Sequence, residues 1–160
     1  MKKWLGLVAG VALLVVGAAC SSSKASTTTY KPQTRTIEMV TIQELIGEFA
    51  NIPDLKDEID TALAPNGPLG GHEVYGWYPS ALTVYQGDTV ILDIHNAQGD
   101  EHIFSLPDLG ITGTHIPPDS AVKVTFKASK LGVFQYLCSV PEHSPWMQGF
   151  LTVLPDSDAG

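Results

Sequence analysis

Within the ten residues Cys138-Ser139-Val140-Pro141-Glu142-His143-Ser144-Pro145-Trp146-Met147 stand a thiol, an imidazole and a thioether. Together they suit copper: sulfur donors stabilise Cu(I), and imidazole remains a good ligand for Cu(II). One protein geometry can then serve both oxidation states of a single ion. A trigonal plane of two His nitrogens and one Cys sulfur, with a long axial Met, needs one more imidazole. His102 is the candidate, because it follows the turn-like Gln98-Gly99-Asp100-Glu101 and opens an apolar run that can carry its side chain to the same end of a fold.

The chain has two cysteines, Cys20 and Cys138. If Cys20 is consumed by lipid, Cys138 cannot be half of an internal disulfide. A lone thiol in an oxidising compartment is buried and inert, a nucleophile or a metal ligand, and its neighbours favour the ligand. His72, His95 and His115 lack partners at ligand spacing and read as surface or satisfied core histidines.

The elements that must position these ligands are short strands. Leu82, Val84, Val90, Leu92 and Ile94 fall at alternating or near-continuous apolar positions around the turn Gln86-Gly87-Asp88. Further strands are predicted at His102 to Leu106, Ala121 to Ala128, Gly132 to Leu137 and Gly149 to Leu154. Upstream, Thr36 to Val40 reads as a strand. Thr41 and Glu44 have capping-box spacing, predicting a helix over Ile42 to Phe49. Leu55, Ile59 and Leu63 predict a second over Asp54 to Ala64. The expected architecture is all-β, an antiparallel sandwich with a short helical insertion.

Tyr136 to Val153 resembles the copper loop of azurin-like cupredoxins: a Cys, four residues, a His, three residues, a Met, then Gly and a last strand. Tyr78-Pro79-Ser80-Ala81-Leu82-Thr83-Val84, Gly87-Asp88-Thr89-Val90 and Glu101-His102-Ile103-Phe104 resemble the earlier strands of that family. The resemblance covers roughly Val74 to Leu154 and leaves the helical segment unexplained. It implies a cupredoxin-like Greek-key β-sandwich and a type 1 (blue) copper centre, with His102, Cys138 and His143 equatorial and Met147 axial. Two positions depart from the pattern. Glu142 replaces the usual Gly and offers a carboxylate as a rival axial ligand. Ile103 replaces an Asn whose side chain braces the loop and whose main-chain N–H bonds the thiolate. The family also places the carbonyl before the first His, here that of Glu101, near copper.

Lys2 and Lys3, the apolar run Trp4 to Val16 and the small residues before Cys20 read as an export signal over residues 1–19 with a lipidated Cys20. The run falls short of the ~20 residues that span a bilayer. A flexible linker is expected over 20–35, a cupredoxin domain over 36–155 and a polar tail over 156–160. The expected location is the periplasmic or extracellular face of the cell membrane.

Net charge is −8, and loss of residues 1–19 removes two lysines and no acid. This argues against nucleic acid as a partner, which needs Lys and Arg clusters. The expected partners are redox proteins such as respiratory complexes or cytochromes, with Pro145 and Trp146 as an apolar rim beside His143. The protein itself is expected to be a monomer. Electron transfer is the first functional reading. Copper binding or delivery is the alternative, but it favours exposed Met or His runs that are absent here. An enzyme fares worst, since a nitrite reductase needs further His ligands and a binuclear centre a second loop cysteine.

Overall fold

A computed structural model describes residues 30–155. The predicted signal, Cys20, the first part of the linker and the tail lie outside the described residues. The described chain forms nine strands and one α-helix: β1 (Thr34–Leu45), α1 (Lys56–Ala62), β2 (Val74–Tyr78), β3 (Ala81–Tyr85), β4 (Thr89–Asn96), β5 (His102–Leu106), β6 (Ile111–Ile116), β7 (Ser120–Lys127), β8 (Gly132–Cys138) and β9 (Gln148–Leu154). Two sheets, β2-β1-β4-β7 and β3-β9-β8-β5-β6, make a sandwich. Alternation along β4 and β9 turns Val90, Leu92, Ile94, Leu151 and Val153 inward, where they meet Trp77, Phe104 and Tyr136. No described helix is long and apolar enough to cross a membrane.

The sandwich and the strand from His102 to Leu106 agree with the sequence reading. The sheets are mixed rather than purely antiparallel: β1 runs parallel to β4, and β3 parallel to β9. The expected helix over Ile42 to Phe49 is corrected. β1 continues through Leu45 in antiparallel register with β2, and 3-10 turns at Gly47–Asn51 and Pro53–Leu55 follow. Thr41 does not cap a helix; its hydroxyl donates to Asn96 Oδ1 at 3.0 Å. Sheet pairing along β1 outweighed the local helix signal. The second predicted helix is present as α1, and β6 was not anticipated.

β1 begins two residues before the expected strand, and the chain ahead of it is tied down. The Asp88 carboxylate accepts from the Tyr30 hydroxyl, the Arg35 guanidinium, Gln33 N (2.8 Å) and Tyr85 N (3.1 Å). Burial alone would raise this carboxyl, but the bonds from Tyr30, Gln33, Arg35 and Tyr85 outweigh it and hold its pKa at about 2.

Candidate metal centre

The loop between β8 and β9 is two successive turns. His143 N donates to the Val140 carbonyl at 3.0 Å, and the His143 carbonyl accepts from Trp146 N and Met147 N at 3.1 and 2.9 Å. Cys138 N then donates to the Met147 carbonyl at 2.9 Å, closing the loop on itself. Trp77 Nε1 donates to the same carbonyl at 3.2 Å. Gly149 is required where the loop rejoins β9, because a Cβ there would collide with the Tyr136 ring. Cys138 ends β8 opposite Phe104 of β5, two residues beyond His102.

This folding brings His102, Cys138 and His143 together, their ligand atoms all within 4.8 Å of one another. The two Nδ1 atoms are 3.2 Å apart, and Cys138 Sγ lies 3.8 Å from His143 Nδ1. With metal–nitrogen bonds of ~2.0 Å and metal–sulfur bonds of ~2.3 Å, donors on one ion stand roughly 3.3 Å (N to N) and 3.7 Å (N to S) apart. Both separations from His143 match those values, and the third lies within the 4.8 Å that bounds the set, an arrangement compatible with one ion. Met147 is fully buried, as are His102 and Cys138, while His143 is the most exposed of the four at 8%. Glu142, the rival ligand, is exposed. Pro145 and Trp146 are exposed beside the loop, as the sequence suggests.

Burial holds His102 down at about 4, helped by His143 and opposed by Asp100. His143 is lowered chiefly by burial as well. Both imidazoles are therefore neutral at neutral pH, with lone pairs available to a metal. Burial pushes the Cys138 thiol up, while main-chain N–H groups of Ile103 and Val140 act to lower it. Ile103 N donates to Cys138 Sγ at 3.3 Å, the thiolate bond implied for position 103. A hydroxyl pair, Ser105 Oγ to Ser139 Oγ at 2.6 Å, ties β5 to the start of the loop beside the Ser139 N to Ile103 O bond at 2.8 Å.

Several residues around the ligands escaped the sequence reading. Gln98 Oε1 accepts from His102 Nε2 at 2.9 Å. That bond puts the ring proton on Nε2 and turns the Nδ1 lone pair toward the cluster. Asn96 organises the turn between them, donating to the Asp100, Ile116 and Pro117 carbonyls and accepting from Gln98 N. Tyr75 lies edge-on to both imidazoles, and its hydroxyl contacts Glu73 and Asp100. Burial, then those two carboxylates, push its phenol well above the usual range, so it stays protonated. For Gln98 the available signal was its position four residues before a ligand His, in the turn already singled out.

His95 and His115 are surface residues facing Glu38 and Glu101 at 2.8 and 2.9 Å. Glu38, Asp93 and His95 are also close enough to share an ion, but they are partly or fully exposed, and Lys123 already pairs with Asp93.

A profile of the cupredoxin-like domain matches residues 72–153, slightly more than half the chain. The chain belongs to the cupredoxin-like family. β1 and the helical insertion of this cupredoxin lie outside the match. Solved structures with a similar fold include a blue copper oxidase from Nitrosomonas europaea, at 18% identity and TM-score 0.52 over 76% of this chain and 39% of that one. A copper nitrite reductase from the same organism gives 18% and 0.52 over 79% and 43%. Auracyanin A, a blue copper protein of Chloroflexus aurantiacus, gives 21% and 0.48 over 76% and 99%. The cupredoxin thus spans about two fifths of the length of the two enzymes. At these identities the likeness concerns the fold. No curated protein sequence is significantly similar to this one.

Proposed function

We propose that this cupredoxin is a single-electron carrier with one type 1 copper, held by His102, Cys138 and His143 in the plane and Met147 on the axis. The observation that carries the reading is the spacing of His143 Nδ1 from His102 Nδ1 and from Cys138 Sγ, which matches donors on one ion in a buried cluster. A buried methionine in the same loop as the Cys and His of a His-Cys-His set favours copper, which takes a thioether ligand, over zinc, which rarely does. Bound copper supplies the Cu(I)/Cu(II) couple. The protein holds the donors on rigid strands and two interlocked turns, so little rearrangement accompanies a change of charge. Burial of all four side chains leaves no open approach for a substrate, which favours a carrier over an oxidase or reductase. It also counts against copper delivery, which requires exchangeable ligands.

The carrier is proposed to be exported and held at the outer face of the cell membrane by lipid on Cys20. The support is the signal-like segment 1–19 and the small residues preceding that cysteine. Its proposed partners are redox proteins, met at the exposed rim of Pro145 and Trp146 in the loop that carries His143, and steered by the chain's net negative charge.

Absorption and paramagnetic resonance spectra of the copper-loaded chain test the reading. An intense thiolate-to-copper band in the visible red is expected, with narrow copper hyperfine splitting, and both should vanish in Cys138→Ser. A colourless wild-type protein that surrenders copper rapidly to a chelator would sink the carrier reading.

A further inference from the structure

We infer that Tyr75 is a positioning residue that shuts the metal pocket on the side of the helical insertion, keeping water and small anions off the donor atoms. This rests on the copper reading for what is excluded, but the cover is a property of the metal-free protein as well.

The ring of Tyr75 touches both imidazoles, its centroid 4.8 Å from that of His143 and 5.2 Å from that of His102, edge-on at 61° and 68°. Tyr75 is itself only 4% exposed. It therefore fills space beside the ligands that would otherwise admit water. Two attachments hold it there. Its hydroxyl donates to Glu73 Oε2 at 2.7 Å and contacts the Asp100 carboxylate in the turn that precedes His102. Glu73 Oε1 in turn accepts from Gly47 N at 2.7 Å, at the start of the insertion. A continuous line of contacts thus runs from the imidazoles through Tyr75 and Glu73 to the segment that follows β1. This gives the segment outside the family match a role at the site: it is fastened to the residue that covers the ligands. A ring in van der Waals contact excludes water by its volume, so the aromatic body matters more than the hydroxyl.

The test compares Tyr75→Phe, Tyr75→Leu and Tyr75→Ala in the full chain. In the metal-free, folded proteins, alkylation of Cys138 by iodoacetamide is followed by mass spectrometry of its own peptide, so that Cys20 does not contribute. The rate should rise about tenfold or more in Tyr75→Ala and less in Tyr75→Leu, and stay within about twofold of wild type in Tyr75→Phe, as expected when a local cover is removed without global unfolding. In the copper-loaded proteins, azide should perturb the paramagnetic resonance spectrum of Tyr75→Ala and Tyr75→Leu while leaving wild type and Tyr75→Phe unchanged. Wild-type alkylation rates and azide-insensitive spectra in both Leu and Ala variants would overturn the proposal. If Tyr75→Ala does not fold, Tyr75→Leu alone decides. A wild-type protein without the red band defeats the copper reading only, since the alkylation rates still judge the cover.

Discussion

The main-chain N–H of Ile103 faces Cys138 Sγ across 3.3 Å, so the bond to sulfur is made without any help from the side chain at 103. Ile103→Ala should therefore keep the visible band of the copper-loaded protein at wild-type position and intensity. The loop brace lies elsewhere, in Ser105 and Ser139. Ser105→Ala breaks that pair and leaves Gly113 N, now bonded to Ser105 Oγ at 3.0 Å, without its acceptor. Denaturant unfolding of the metal-free variant should show a loss of about 1–2 kcal/mol.

Gln98 should control affinity rather than colour. Gln98→Leu removes the acceptor that fixes the His102 tautomer, and copper affinity measured by chelator competition should fall about 10- to 100-fold, the usual effect of losing such a support. An unchanged affinity would show that the tautomer is set by something else.

Met147→Leu is nearly volume-conserving, so the buried loop should lose less than about 1.5 kcal/mol. The sulfur is gone, however, and the reduction potential should shift while the red band remains, because an axial thioether tunes this kind of site without supplying its colour. An unmoved potential and spectrum would remove Met147 from the ligand set. Glu142→Gln should change neither, since that side chain is exposed.

Asp88 sets an acid limit on stability. Its folded pKa, about 2, lies below the ordinary 3.8, so the native state holds the ionised form more tightly than the unfolded chain does. The stabilisation is complete above that ordinary value and drains away as pH falls from there through about 2. Asp88→Asn should cost about 2 kcal/mol at neutral pH through its bonds to Arg35 and the main-chain donors, and should flatten the acid limb of a plot of unfolding free energy against pH.

The candidate set was legible because the pattern is local: Cys138, His143 and Met147 lie in one loop built of two turns, and the fold gathers Cys138 and His143 with His102. The strand at His102 was legible because its flanking turn is rich in Gly and Asp. What the sequence hid depends on distant partners. Thr41 and Glu44 satisfy a capping pattern, yet Thr41 is buried against Asn96, and pairing with β2 carries β1 on to Leu45. β6 was missed because Gly113 and the polar Thr112, Thr114 and His115 mask its alternation, and it exists by pairing with β5. Gln98 offered only its place in the turn before His102, and Tyr75 carries no signal of its own; it matters because the fold sets it against His102 and His143.

The clamp of Tyr30 and Arg35 on Asp88 also gives the molecule a compass. β1 runs from that clamp, beside Tyr85 and the turn after it, to Leu45 and the segment held by Glu73, and at ~3.3 Å per residue its twelve residues cross roughly 40 Å. Chain entry and metal pocket are thus antipodal. A lipid tether at Cys20, as proposed, would join the described domain at the end of β1 remote from the copper pocket.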